Sequence, residues 1–309
     1  DIAAQLIEYP HGNGLEVAMG GGRRNFIPNT YTDPEYSLLK PGKRSDGRDL
    51  TQEWLHKYPN SAYVWNKQQL NAVDLAITDH LLGLFEPSHM QYEINRSKDE
   101  AGEPSLTEMT EVAIKMLAQK DKPYFLMIEG GRIDHGHHAG YAKLALTETV
   151  EFANAIEKAL SMVDLTETLI LVTADHAHTM TFSGYAQRGN PILGKVVGVG
   201  SEEPSLAKDG MPYTTVGYAN GLGYRDLGNE TDADASYSEG ATVGRIDLTS
   251  IDTTVTGFHQ ETTVPLGSET HAGEDISVHA MGPSAHLIQG TVEQSVVFHL
   301  INRALGLVD

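Results

Sequence analysis

The run Tyr124-Phe125-Leu126-Met127-Ile128 is apolar throughout and has the length of a strand. Runs of that kind are expected where a strand is buried on both faces, as parallel strands are. Thr168–Thr173 repeats the pattern with Leu169, Ile170, Leu171 and Val172. Between the two, Leu146, Val150, Ala153 and Ile156 recur at helical spacing and predict a helix that buries that face. Strand, helix, strand at this separation is a βαβ unit, so the spacing predicts an α/β sandwich with helices on both faces of a sheet.

The same reading extends along the chain. Asp1 is placed to cap a helix beginning at Ile2, and a chain that opens inside an element is expected to be a fragment or a processed product. Short strands are predicted at Leu15–Met19, Ala62–Trp65 and Leu81–Phe85. Gly20-Gly21-Gly22 lacks the spacing of a dinucleotide loop and reads as a tight turn. Residues 28–50, rich in Pro, Gly, Asp and Tyr, read as surface loop. Ser105 with Glu108 forms a capping box ahead of a helix whose apolar face is Met109, Val112, Ala113 and Met116. After Tyr185 the chain turns to Gly, Thr, Ser and Asp, with a β element expected at Thr253–Thr256. Regular structure resumes with a strand through Ile276, Val278 and Ala280 and a helix from about Val292 to Leu305.

Composition narrows the function. A 40% hydrophobic content supports a packed core. A formal charge of −20 argues against nucleic acid or anionic membrane as partners. No apolar run approaches the ~20 residues of a transmembrane span. The absence of cysteine excludes disulfides and thiolate zinc sites. The 14 histidines are clustered, and that clustering carries the chemistry.

Three clusters stand beside buried-strand patterns. Glu129-Gly130-Gly131-Arg132-Ile133-Asp134-His135-Gly136-His137-His138 follows the carboxyl end of the first apolar strand, where α/β folds place ligand sites. Asp134 and His138 are four residues apart, so a helix there sets both on one face as a zinc-ligand pair. Glu129 lies before the turn, placed for a hard cation such as magnesium. Thr173-Ala174-Asp175-His176-Ala177-His178 ends the second strand, with Asp175 and His176 adjacent and His178 in a supporting or structural place. In Glu269-Thr270-His271-Ala272-Gly273-Glu274-Asp275, His271 is a candidate third ligand, with Glu274 and Asp275 placed to orient ligands. A solvated His-rich loop is the bland alternative to each.

In this order the three motifs resemble the alkaline phosphatase family. The resemblance extends to Asp1-Ile2-Ala3-Ala4-Gln5-Leu6, Gly20-Gly21-Gly22-Arg23, Tyr63-Val64-Trp65-Asn66, the stretch Leu81–Pro87 and Gly282–Leu287, and so covers nearly the whole chain. It looks closer to the form shared by animal and some bacterial enzymes than to the short core type. It implies a three-layer α/β sandwich with a mostly parallel central sheet and an inserted crown-like subdomain. The domains implied are 1–185 (core with the metal motifs), 186–268 (crown) and 269–309 (return to the core). The implied activity is phosphomonoester hydrolysis at alkaline pH through a phosphoserine. Asp134, His138 and His271 would hold one Zn2+, Asp175 and His176 a second, and Glu129 a Mg2+. A Ca2+ site would use the Phe85 backbone carbonyl, Glu86 and Glu103, the last in place of a family Asp and behind a longer loop. Tyr185 would reach a partner subunit in a homodimer, and the location would be extracytoplasmic (periplasmic, secreted or cell-surface).

The pattern also departs from the family. No Asp-Ser-Ala or Asp-Ser-Gly nucleophile motif occurs, and the upstream Asp, the Ser/Thr magnesium ligand and the phosphate-clamping arginine have no counterparts. Ser284, in Gly282-Pro283-Ser284-Ala285-His286, matches a structural loop of the family. The chain is therefore expected to be an incomplete and inactive part of the enzyme. The competing readings are a catalytically dead metal-binding scaffold and another hydrolase of the superfamily. The C/S-x-P-x-R motif of a sulfatase is missing.

Overall fold

Asp1 caps the first helix as its position predicts: its carboxylate accepts from the Ala4 N–H at 3.3 Å, and α1 runs Ile2–Glu8. The computed structural model describes residues 1–120, 122–224 and 244–307. They form two compact units, one of Asp1–Glu129 with Glu151–Val163, the other of Gly130–Val150 with the described residues from Asp164 onward.

In the first unit the chain continues through β1 (Val17–Gly20), β2 (Thr32–Asp33), β3 (Ser37–Pro41), α2 (Leu50–Lys57), β4 (Ser61–Val64), α3 (Lys67–Asn71), β5 (His80–Leu84), α4 (Glu93–Arg96) and α5 (Leu106–Leu117). Its sheet has the order β1-β5-β4, and both pairings are parallel, with Val17 opposite Leu81 and Ala62 opposite Leu81. All residues of β5 are buried, as the central strand of a covered parallel sheet requires. One side packs on Trp54, Leu50 and Ile7, the other on Phe85, Leu70 and Met116. Ser105 and Glu108 form the expected capping box on α5, whose Ala113, Ile114, Met116 and Leu117 are buried.

The run Tyr124–Ile128 departs from expectation. It forms no strand, and Phe125 and Met127 are 61% and 67% exposed. An apolar sequence becomes a strand only when a neighbour completes its backbone ladder, and no described residue does so here.

The second unit begins with α6 (Arg132–His138) and α7 (Ala142–Met162), the latter ending in the first unit. Then come β6 (Ile170–Val172), β7 (Ala177–His178), β8 (Met180–Phe182), β9 (Val216–Gly221), β10 (Thr262–Pro265), β11 (His271–Ala272), β12 (His279–Met281) and α8 (Val296–Ala304). β9 lies between β8, antiparallel, and β10, parallel. β6 pairs antiparallel with β12, and β7 antiparallel with β11. The predicted second strand thus exists, but its described partner runs antiparallel rather than completing a parallel βαβ pair.

The predicted face of α7 is also corrected. Val150 is 60% exposed, and the buried positions are Ala142, Leu144, Ala145, Glu151, Ala155 and Ala159. The helix carries two apolar stripes. The buried one runs through small alanines and through Glu151, whose carboxylate accepts the Thr107 N–H at 2.9 Å. Thr253–Thr256 forms turns rather than a strand, with Asp252 accepting from the Thr254 N–H and hydroxyl at 2.9 and 2.7 Å. Ser284 sits in a left-handed turn at φ 67°, as a loop position does. Among the described residues no helix is long and apolar enough to cross a membrane.

Candidate metal centres

The first centre is built on α6 and on two short strands that face each other. Asp134 and His138 lie one helical turn apart on α6. The turn after β6 carries Asp175 and His176, and β7 places His178 directly opposite His271 of β11. These elements bring four imidazoles around one carboxylate oxygen. Asp134 Oδ1 lies 3.1 Å from His178 Nε2, 3.2 Å from His138 Nε2, 3.5 Å from His271 Nε2 and 3.8 Å from His176 Nε2. Two ligand triads result, Asp134–His138–His178 and Asp134–His176–His271, sharing the aspartate.

Protonation can be argued from what the other ring nitrogens face. His138 Nδ1 lies 2.6 Å from the Glu269 carbonyl, which can only accept, so Nδ1 carries the proton. His178 Nδ1 lies 2.8 Å from the Glu269 carboxylate and is a donor for the same reason. In their neutral forms both rings then aim an Nε2 lone pair at Asp134 Oδ1. That oxygen is itself buried and accepts no hydrogen bond from the described residues. His138 and His271 also meet Nε2 to Nε2 at 3.2 Å. Lone pairs converging on an anionic oxygen require a positive charge among them. Burial lowers the His178 pKa, but the hydrogen bond it donates to Glu269 and the charges of Glu269 and Asp134 outweigh it and the net shift is upward. Protonating every ring would crowd like charges together, whereas divalent cations among the imidazoles would satisfy the nitrogens without it. The donor set, nitrogen with carboxylate oxygen and no sulfur, fits zinc.

Glu269, 1% exposed, is the residue the sequence reading left without a role. Its carboxylate holds His178 Nδ1 through Oε2 and takes the Thr179 N–H (2.6 Å) and hydroxyl (2.8 Å) through Oε1, while its carbonyl holds His138. It orients two imidazoles at once. Burial raises its pKa, but these donors prevail and the net shift is downward, so it stays ionised. Behind His178 the His137 ring stacks at 4.5 Å, its Nδ1 2.8 Å from the Tyr218 hydroxyl. Burial, with His178 alongside, lowers His137 to about 4. Glu274 and Asp275, expected to orient ligands, are exposed instead. We expect Glu269→Gln to weaken zinc binding about 10- to 100-fold, the range for lost orienting carboxylates. Competition with a chromogenic chelator measures it, and a change below about twofold would remove Glu269 from this role.

The remaining predicted residues are placed less centrally. Asp175 approaches only His176, at 3.2 Å, and its side chain is 80% exposed. Glu129 is exposed and joins no converging ligand set among the described residues. Arg132 is turned to His135, with Nη1 3.0 Å from Nδ1.

A second centre lies in the first unit, where the ligand-bearing atoms of Glu35, Glu86 and Asp99 fall within 4.8 Å of one another. Glu86 Oε1 accepts from the Tyr36 hydroxyl at 3.0 Å and from Gln91 Nε2 at 3.1 Å. Arg23 Nη2 donates to Glu35 Oε2 at 2.7 Å. Glu103 stands beside them, 2% exposed, with Oε1 taking the Gln91 N–H at 2.8 Å. Its Oε2 is buried without a hydrogen-bond partner, as is Asp99 Oδ2. Burial, with Asp99 and Glu86 alongside, pushes Glu35 up to about 8 despite Arg23. Burial with Glu86 and Asp99 nearby pushes Glu103 up to about 9. Burial likewise raises Glu86. Crowded carboxylates with orphaned oxygens call for a compensating cation, and an all-oxygen set fits calcium. Of the residues expected there, Glu86 is in the set and Glu103 adjoins it. Glu35 and Asp99 were not foreseen.

A family model described as alkaline phosphatase matches residues 1–307. The chain is 42% identical over 306 residues to the tissue-nonspecific isozyme of alkaline phosphatase from Felis catus, covering 97% of this chain and 54% of that protein. The corresponding isozyme of Homo sapiens is 42% identical over 307 residues, with the same shares covered. The chain thus spans about half the length of the curated relatives it matches. Among solved structures, Thermus thermophilus alkaline phosphatase superposes with a TM-score of 0.50 at 31% identity, over 60% of this chain and 35% of that one. The alkaline phosphatase of the Antarctic bacterium TAB5 gives 0.57 at 20% identity, over 98% of this chain and 63% of that one, a likeness of fold alone.

Proposed function

The chain belongs to the alkaline phosphatase family, and we propose that it forms the metal-holding part of a phosphomonoesterase working at alkaline pH. The observation that carries this reading is the buried Asp134 Oδ1, ringed by imidazole nitrogens at 3.1 to 3.8 Å. Asp134, His138 and His271 are assigned to one zinc ion, Asp175 and His176 to a second, with Asp134 Oδ1, 3.8 Å from His176 Nε2, within reach of both. His178, whose Nε2 lies 3.1 Å from Asp134 Oδ1, stands at the edge of this set. The magnesium role of Glu129 rests on the family resemblance alone, and no step is routed through it.

Zinc bound here would polarise a phosphoryl oxygen and lower the pKa of an attacking hydroxyl or water. The chain's own contribution is orientation. Glu269 fixes the tautomers of His138 and His178, so that both present Nε2 to the metal side. His176 and His271, stacked at 3.5 Å, stand together on the exposed side, where a small phosphomonoester can approach. The reaction is taken to pass through a phosphoserine, with the serine contributed from outside these residues. Residues 186–268 are assigned to the crown-like insertion, of which 225–243 lie outside the described residues. Tyr185 is 88% exposed, as a contact with the partner of a homodimer needs. An extracytoplasmic location goes with the family reading.

The test is hydrolysis of p-nitrophenyl phosphate at alkaline pH with zinc and magnesium. The chain is assayed beside a longer chain that places a family nucleophile segment ahead of it. Activity in the longer protein alone, abolished by His271→Ala, supports the proposal. Zinc uptake without activity in either protein would favour a catalytically dead scaffold.

A further inference from the structure

The acidic set of the first unit contains a member that neither the motifs nor the resemblance points to. Asp99 lies in the segment between α4 and α5. The segment is fixed at both ends. Arg96 grips Glu93 with Nε and Nη2 at 2.7 and 2.9 Å and reaches the Glu103 carbonyl with Nη1 at 3.4 Å. The Lys67 N–H holds the Gly102 carbonyl at 2.7 Å. Within this span Ser97, Lys98 and Glu100 are exposed, yet Asp99 turns inward and buries Oδ2 without a hydrogen-bond partner. A carboxylate on a surface turn has water available at no cost. Its burial against Glu35 and Glu86 is unfavourable unless a cation or a proton is shared among them. The second, independent sign is Glu103, almost wholly buried, whose Oε2 also lacks a partner beside the same group. On the opposite side Arg23 and Tyr36 hold single oxygens of Glu35 and Glu86, steadying the two side chains of the set.

We propose that Asp99 is a direct oxygen ligand of a calcium ion held with Glu35 and Glu86, so that the segment between α4 and α5 adds a carboxylate to the site. This rests on the reading of the second centre as a calcium site. The added negative charge is expected to tighten the site, since ligand charge count tunes calcium affinity over decades.

The experiment uses the full chain with terbium(III), excited through Tyr36, whose hydroxyl lies 3.0 Å from Glu86 Oε1, and with calcium as competitor. Asp99→Asn should weaken calcium about tenfold or more. Glu100→Gln removes the same charge from the next, exposed position and should change affinity by less than about twofold, as screened surface charges do. Glu86→Gln should abolish the terbium signal. If the unaltered chain takes up neither ion, the calcium site itself fails, and this proposal with it. If it binds, Glu86→Gln abolishes binding and Asp99→Asn behaves like Glu100→Gln, the calcium reading stands and the assignment of Asp99 is overturned.

Discussion

Asp134→Ala is expected to weaken both zinc ions at once, whereas Asp175→Ala should weaken only one. The difference follows from placement. Asp134 Oδ1 is common to Asp134–His138–His178 and Asp134–His176–His271, while Asp175 meets His176 alone. Losing an orienting carboxylate behind a ligand weakens metal about 10- to 100-fold, so losing the oxygen within reach of both ions should exceed about 100-fold. Without it the imidazoles keep no anion among them to offset the ion's charge. Equilibrium dialysis at fixed free zinc gives the stoichiometry directly. Circular dichroism checks that α6 persists, since removing an acidic residue from a first helical turn costs only about 0.3–1 kcal/mol. An Asp134→Ala protein that keeps its full zinc complement would end the shared-ligand description.

What could be read in the sequence divides along the range of the interaction. The pairing of Asp134 with His138 follows from a helical repeat of four, and the placing of Asp175 and His176 from the strand that precedes them. The caps at Asp1 and Ser105 are equally local. Glu269 was visible as a letter of its motif but not as the residue that orients His138 and His178, because that role depends on β7 and β11 lying side by side. His178 is moved from a supporting place to the edge of the ligand set by the same pairing. Glu35 sits in a loop whose composition says only that it turns, and Asp99 on a segment whose path is decided by Arg96 and Lys67. The apolar run at Tyr124–Ile128 shows the converse: hydrophobicity states a preference for burial, but a strand also needs a neighbour's backbone.

Arg23→Met should be the most destabilising single change in the first unit. The guanidinium is fully buried and spans the interior. Nε and Nη2 form a fork on Asp33 at 2.7 and 2.8 Å, Nη2 also meets Glu35 at 2.7 Å, and Nη1 donates to the Leu84 carbonyl at 2.9 Å. Met fills much of the volume but supplies no donors. Asp33 is then left as a buried anion, Glu35 loses its donor, and the Leu84 carbonyl at the end of β5 loses its partner. Breaking a buried pair from one side costs about 3–5 kcal/mol, most of it the penalty on the stranded charge rather than the worth of the bond. Lysine is no substitute, because one ammonium cannot reproduce the planar fork on Asp33. Urea unfolding of the chain measures the loss, and a change below about 1 kcal/mol would contradict the argument. Combining Arg23→Met with Asp33→Asn separates the causes. If the stranded charge dominates, the double variant should recover part of the stability lost in Arg23→Met. If packing and the Leu84 carbonyl dominate, the two losses should add.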